Sequence, residues 1–158
     1  MDDPSLTSDH HYLSVRPSSR VEHATALVLI HGGWHDPSIF SAIVPGLERA
    51  GYSVHTPHLP STGSKASFQD DVAVVRNTVH SVLATGKNVV LVMHSYGALP
   101  GCEALEGMKK MQEENAKKGW GQVLKLVFLA GLVMPVGCAT WPVREIELVP
   151  KGFSCQVR

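Results

Sequence analysis

The stretch LVMHSYGALPG, Leu91 to Gly101, runs from an apolar segment straight into a serine set between a histidine and a tyrosine. Asn88 to Met93, apolar from Val89 on, reads as a buried strand, whereas from Tyr96 onward the apolar positions take helical spacing. Ser95 therefore stands where a strand turns sharply into a helix. A serine there is either a helix cap or a nucleophile at a helix N-terminus, where the helix dipole favours an anion. The rest of the chain has to decide between the two.

Upstream, ATALVLIHGGW holds a continuous apolar, partly β-branched run from Thr25 to Ile30 that ends in glycines. This is the pattern of a strand buried on both faces. Asp36-Pro37-Ser38 offers a cap and a first-turn proline to a helix carrying Ile39, Phe40, Ile43, Val44 and Leu47, stopped by Gly51 and kinked or restarted at Pro45. Tyr52 to Thr56 is a shorter strand leading into the turn-rich TPHLPSTGSK. Ser67 with Asp70 makes a capping box, and Val72, Val75, Val79, Val82 and Leu83 form one apolar stripe before Gly86. A helix is expected from Tyr96 to about Lys118, with Leu99, Cys102, Leu105, Met108 and Met111 along one side, and a fourth strand over Val123 to Ala130.

Strands alternating with amphipathic helices argue for an α/β fold, a mostly parallel sheet of about four strands flanked by helices, with right-handed crossovers. Three stretches are expected: a loose arm over 1–23 with a short strand near Tyr12 to Val15, an α/β domain over 24–137, and a tail over 138–158 without clear periodicity. The chain's 158 residues, 44% of them hydrophobic, suffice for one core. Fourteen basic residues balance fourteen acidic ones with no basic stripe, so nucleic acid is not an expected partner. No apolar run approaches the length of a membrane span, and the start resembles no signal peptide. Cys102, Cys138 and Cys155 lack metal or redox spacing, which suits reduced thiols and a cytoplasmic location.

In an open α/β sheet, ligands bind beyond the carboxyl ends of the strands where strand order reverses. If the second and third strands flank the first, the loops His31-Gly32-Gly33-Trp34 and His94-Ser95-Tyr96-Gly97 meet there. One supplies glycine-rich backbone with free amides and the other a serine, so a carbonyl between them would find a nucleophile and oxyanion donors.

Four motifs, LVLIHGGWHDPSIF, GYSVHTPHLPSTG, VVLVMHSYGALPG and LVFLAGLVMPVG, occur in an order and spacing that resemble the α/β-hydrolases, in particular the branch of hydroxynitrile lyases and plant methylesterases. The resemblance covers about Thr25 to Gly137. It implies Ser95 as nucleophile of the elbow, the backbone amides of Gly33 and Tyr96 as oxyanion hole, and a substrate pocket at Gly32, Trp34 and His35. It also implies ester hydrolysis or cyanohydrin cleavage on a small ester-like or apolar molecule, with no cofactor. Trp34 is expected as a pocket wall, and Tyr96 to matter through its amide, its ring facing substrate or core.

Two departures stand out. Met93 occupies the first glycine position of the elbow, and no histidine follows Ser95, although the family order is serine, acid, histidine. Glu103, Glu106, Glu113, Glu114, Glu145 and Glu147 follow the serine, but none is placed as an orienting acid. His31 and His35 in the facing loop are nearer substitutes than His94, yet in the resembling family such residues shape the loop. His55 and His58, even with His31 and His35, set up no expected metal site. Low or absent activity follows, and a non-catalytic binding module is the second reading. The stretch CATWPVREIELVPKGFSCQVR does not resemble the cap segment expected next, so a truncated family member is expected, with an exposed sheet edge open to self-association.

Overall fold

The computed structural model describes residues 24–134. The expected arm over 1–23, its short strand and the tail over 138–158 lie outside the described residues.

Strand β1, Thr25–Ile30, has the bounds its apolar run predicts. It pairs in parallel with β2, Ser53–His55, on one side and β3, Asn88–His94, on the other, and β4, Val123–Leu129, pairs in parallel with β3. The sheet order is β2-β1-β3-β4, so the order reverses between β1 and β3 and their following loops meet.

The register explains the core. Ala26, Val28 and Ile30 lie beside Val89, Leu91 and Met93, and all six are buried on one face with period two. Onto that face pack helix α2, Phe68–Ala84, through Val72, Val75, Val79, Val82 and Leu83, and a helix that follows β3. Each buried valine is worth about 1.5–3 kcal/mol of transfer free energy. The capping box forms as expected: Asp70 N donates to Ser67 Oγ at 3.2 Å, and Ser67 N donates to Asp70 Oδ2 at 2.7 Å. The expectation of strands buried on both faces holds only in part: on the other face Leu29 is buried, whereas Leu27, Val90 and Val92 are half-buried.

Two helices depart from expectation. The segment after Asp36 is a 3-10 turn, Pro37–Phe40, followed by α1, Val44–Arg49, with Pro45 in its first turn. Proline lacks the N–H an interior turn needs, so the helix restarts there. Of the expected stripe only Phe40 is buried; Ile39 and Ile43 are exposed.

The single helix expected from Tyr96 to Lys118 is instead a 3-10 turn, Ser95–Gly97, then α3, Ala98–Ala104, and α4, Met108–Ala116. The break falls where Gly107 takes a φ of +72° and where Arg76 donates to the last carbonyls of α3, Ala104 O at 3.1 Å and Glu103 O at 3.0 Å. The buried face of α3 is made of Ala98, Pro100, Gly101 and Ala104, while Cys102 is exposed. Small residues let α3 approach β3, and the larger stripe expected there would hold it away.

Candidate active site

Ser95 sits at the end of β3 with φ +50°, the left-handed region that a non-glycine residue rarely adopts. Such strain costs on the order of 1–3 kcal/mol and persists only where surrounding structure enforces it. The enforcement is visible at Gly97, where a Cβ would meet the His31 carbonyl oxygen, Ile30 Cγ2 at 2.8 Å and Ile30 O at 3.0 Å. Met93 fits at the elbow's first glycine position because Gly101 faces it: a Cβ on Gly101 would meet Met93 Sδ, and Met93 Cγ at 3.0 Å.

The two loops meet as the strand order requires. A Cβ on Gly32 would lie 3.1 Å from Ser95 Cβ and 2.9 Å from His94 Nδ1, and one on Gly33 would lie 3.6 Å from Tyr96 Cβ. Leu132 N, past β4, donates to Ser95 O at 2.9 Å and braces the turn from the other side. No loop or cap hydrogen bond among the described residues engages the amides of Gly33 or Tyr96. Backbone donors and a serine brought together in this way can receive a carbonyl whose oxygen becomes negative.

The histidines fall into distinct roles. His31 is fully buried; its Nδ1 bonds Gly32 O at 2.9 Å and its Nε2 accepts from Leu59 N at 3.0 Å. Burial lowers its pKa, which suits a neutral ring donating through Nδ1. Both nitrogens are thus committed to holding loops. His35 is exposed, with Nδ1 2.9 Å from Gly33 O, and its ring stands 5.8 Å from that of His94. His94 Nδ1 is buried and lacks a hydrogen-bond partner among the described residues. None of these nitrogens hydrogen-bonds Ser95 Oγ among the described residues. Nor do His31, His35, His55 and His58 belong to any group of three metal-ligating side chains there.

Trp34 is turned to solvent: its indole is 99% exposed and its φ is +61°. The tyrosine ring that sequence left open between substrate and core turns inward: Tyr96 Oη donates to Asp71 Oδ2 at 2.7 Å. Burial and that carboxylate push the Tyr96 pKa up to about 12. Asp71 is a residue that sequence reasoning missed. Its signal was present, since an aspartate beside Val72 and four residues before Val75 falls on the buried side of α2.

The sequence model of the alpha/beta hydrolase family matches residues 27–154. The chain belongs to the α/β-hydrolase family. It is 29% identical over 115 residues to the alpha/beta hydrolase nvfD of Aspergillus novofumigatus (strain IBT 16806), covering 71% of this chain and 45% of that one. It is 31% identical over 116 residues to the probable hydrolase R7 of Phoma sp. (strain ATCC 20986 / MF5453), covering 70% and 44%. It is 32% identical over 77 residues to a pyrethroid hydrolase of Sphingobium wenxiniae (strain DSM 21828 / CGMCC 1.7748 / JZ-1), covering 46% and 28%. A crystal structure of the pyrethroid hydrolase PytH aligns with TM-score 0.47 and 24% identity, over 70% of this chain and 41% of that one. The chain spans less than half the length of these relatives. No helix among its described residues is long and apolar enough to cross a membrane.

Proposed function

We propose that Ser95 is the nucleophile of a serine hydrolase of the carboxylic-ester type, acting on a small apolar ester without cofactor. The observation that carries this reading is the φ of +50° at Ser95, enforced by the close approach of Gly97 to His31 and Ile30. A serine that only capped a helix would sit in extended backbone and need no such strain. Ser95 Oγ attacks the ester carbonyl carbon, and the carbonyl oxygen, now an oxyanion, is held by the amides of Gly33 and Tyr96. The tetrahedral species collapses with loss of the alcohol, and water then releases the acid from the acyl-serine. Cyanohydrin cleavage, by the likeness to hydroxynitrile lyases, is the alternative use of the same site. The name pyrethroid hydrolase, borne by one relative, favours hydrolysis of an apolar small molecule.

None of the described histidines bonds the Ser95 hydroxyl, so in this step the serine proton leaves to solvent water and the departing alcohol takes a proton from it. Hydrolysis of p-nitrophenyl butyrate tests the reading. A rate above the buffer blank that vanishes in Ser95→Ala supports it, and a rate unchanged in Ser95→Ala overturns it.

The Ser95 hydroxyl, without a hydrogen-bond partner among the described residues, also favours a second reading, a non-catalytic module that binds an apolar carbonyl compound on the two amides. Ligand-induced stabilisation that persists in Ser95→Ala, with no ester turnover in either protein, would select it.

A further inference from the structure

Asp71 is fully buried, in the first turn of α2 and beside the valine stripe. A carboxylate there costs several kcal/mol unless its oxygens are hydrogen-bonded. It accepts three bonds: from Ser61 N at 2.9 Å, Ser61 Oγ at 2.5 Å and Tyr96 Oη at 2.7 Å. These donors do not come from the helix that carries Asp71. Tyr96 directly follows Ser95, and Ser61 lies in the loop between β2 and α2. Two residues before Ser61, Leu59 N donates to His31 Nε2, and His31 in turn bonds Gly32 O. A continuous series of bonds and short loop segments therefore runs from one carboxylate to both segments of the site, directly to the elbow and through Leu59 and His31 to the glycine loop.

We infer that Asp71 is a positioning residue that, through Tyr96 Oη and the Ser61–Leu59 loop, fixes the amides of Tyr96 and Gly33 in the geometry that receives the oxyanion. The inference rests on the assignment of Ser95 as nucleophile. Asp71 acts only through other groups. An oxyanion hole works because its donors are already aimed when charge develops, and a displacement of about 1 Å costs up to about 100-fold in rate. The Tyr96 amide shares its Cα with a ring anchored at its far end, so the anchor limits rotation of the peptide plane between Ser95 and Tyr96. A network of merely structural value would raise stability without changing the reactivity of a folded molecule.

The test is the saturation kinetics of a small fluorophosphonate on the full chain, followed by intact mass and mapped to the peptide carrying Ser95. The proteins are wild type, Tyr96→Phe, Asp71→Asn, their double variant, and Val79→Ala as a core-destabilised control far from the elbow. Tyr96→Phe keeps ring and amide and removes only the hydroxyl, so it folds even if Asp71→Asn does not. The expected result is a loss of roughly five- to twentyfold in the maximal inactivation rate of Tyr96→Phe, smaller than the ~100-fold cost of deleting an oxyanion donor. Half-saturation stays unchanged, the double variant is no slower than the slower single one, and Val79→Ala reacts like wild type while folded. A wild-type rate in Tyr96→Phe, multiplying losses in the double variant, or an equal loss in Val79→Ala would overturn the positioning role and leave the nucleophile assignment standing. Absence of any Ser95 adduct in wild type would remove both.

Discussion

The backbone of Gly97 lies against the carbonyl oxygen of His31, so the elbow and the glycine loop touch with no side chain between them. Both partners in this contact are backbone, and neither can swing aside. Gly97→Ala is therefore expected to destabilise the fold by about 1–3 kcal/mol or more, as overpacking does, and to misplace Ser95. Denaturant unfolding measures it, and a change below about 0.5 kcal/mol, the usual range of surface substitutions, would contradict the enforced-elbow geometry.

Met93 and Gly101 form a second tight pair, but here one partner is a side chain. Gly101→Ala alone is expected to cost about 1–3 kcal/mol, whereas in a Met93→Ala background the same change costs much less because the sulfur it would strike is gone. Equal costs in the two backgrounds would show that Gly101 is not there to accommodate Met93.

His31 is buried neutral with a pKa below the ordinary 6.5. As pH falls through 6.5 the unfolded chain takes up the proton first, so this group's stabilisation is present above 6.5 and is lost on further acidification. An NMR titration should show His31 binding its proton below pH 6.5, with weakening of the Leu59 amide bond. A His31 midpoint at or above 6.5 contradicts the assignment.

Tyr96 gives the opposite limb. Its pKa of about 12 lies above the ordinary 10.0, so its contribution is complete below pH 10 and fades between pH 10 and 12, where the unfolded chain loses the phenolic proton first. Wild type minus Tyr96→Phe, compared by unfolding across pH 9 to 12, should show that decline, and a flat difference would place the hydroxyl in solvent.

Much of this arrangement is legible in the sequence because it is local or periodic. The bounds of β1, the Ser67–Asp70 capping box and the valine stripe each depend on residues within a few positions of one another. The meeting of the Gly32–Gly33 and Ser95–Tyr96 loops follows from strand order. What escapes is set by contacts between distant segments: the Asp71 acceptor for Ser61 and Tyr96, the Leu59 bond to His31, and the Arg76 guanidinium on the last carbonyls of α3. The break at Gly107 is different, since a glycine after a short helix is itself a stop signal and the methionines beyond it masked it.

β4 is the sheet's edge among the described residues, and Leu124, Leu126, Phe128 and Leu129 are each 41–51% exposed along it. An edge ladder with apolar side chains favours association. Sedimentation velocity over a range of concentrations is expected to show reversible self-association that Leu126→Lys weakens, and a monomer at all concentrations would contradict it.

Covalent labelling reads most directly whether Ser95 is a nucleophile held in a strained elbow. Incubation of the full chain with a fluorophosphonate, followed by peptide mass mapping, is expected to place one adduct on Ser95 and none in Ser95→Ala. An adduct confined to another residue, or labelling of Ser95→Ala equal to wild type, would contradict it.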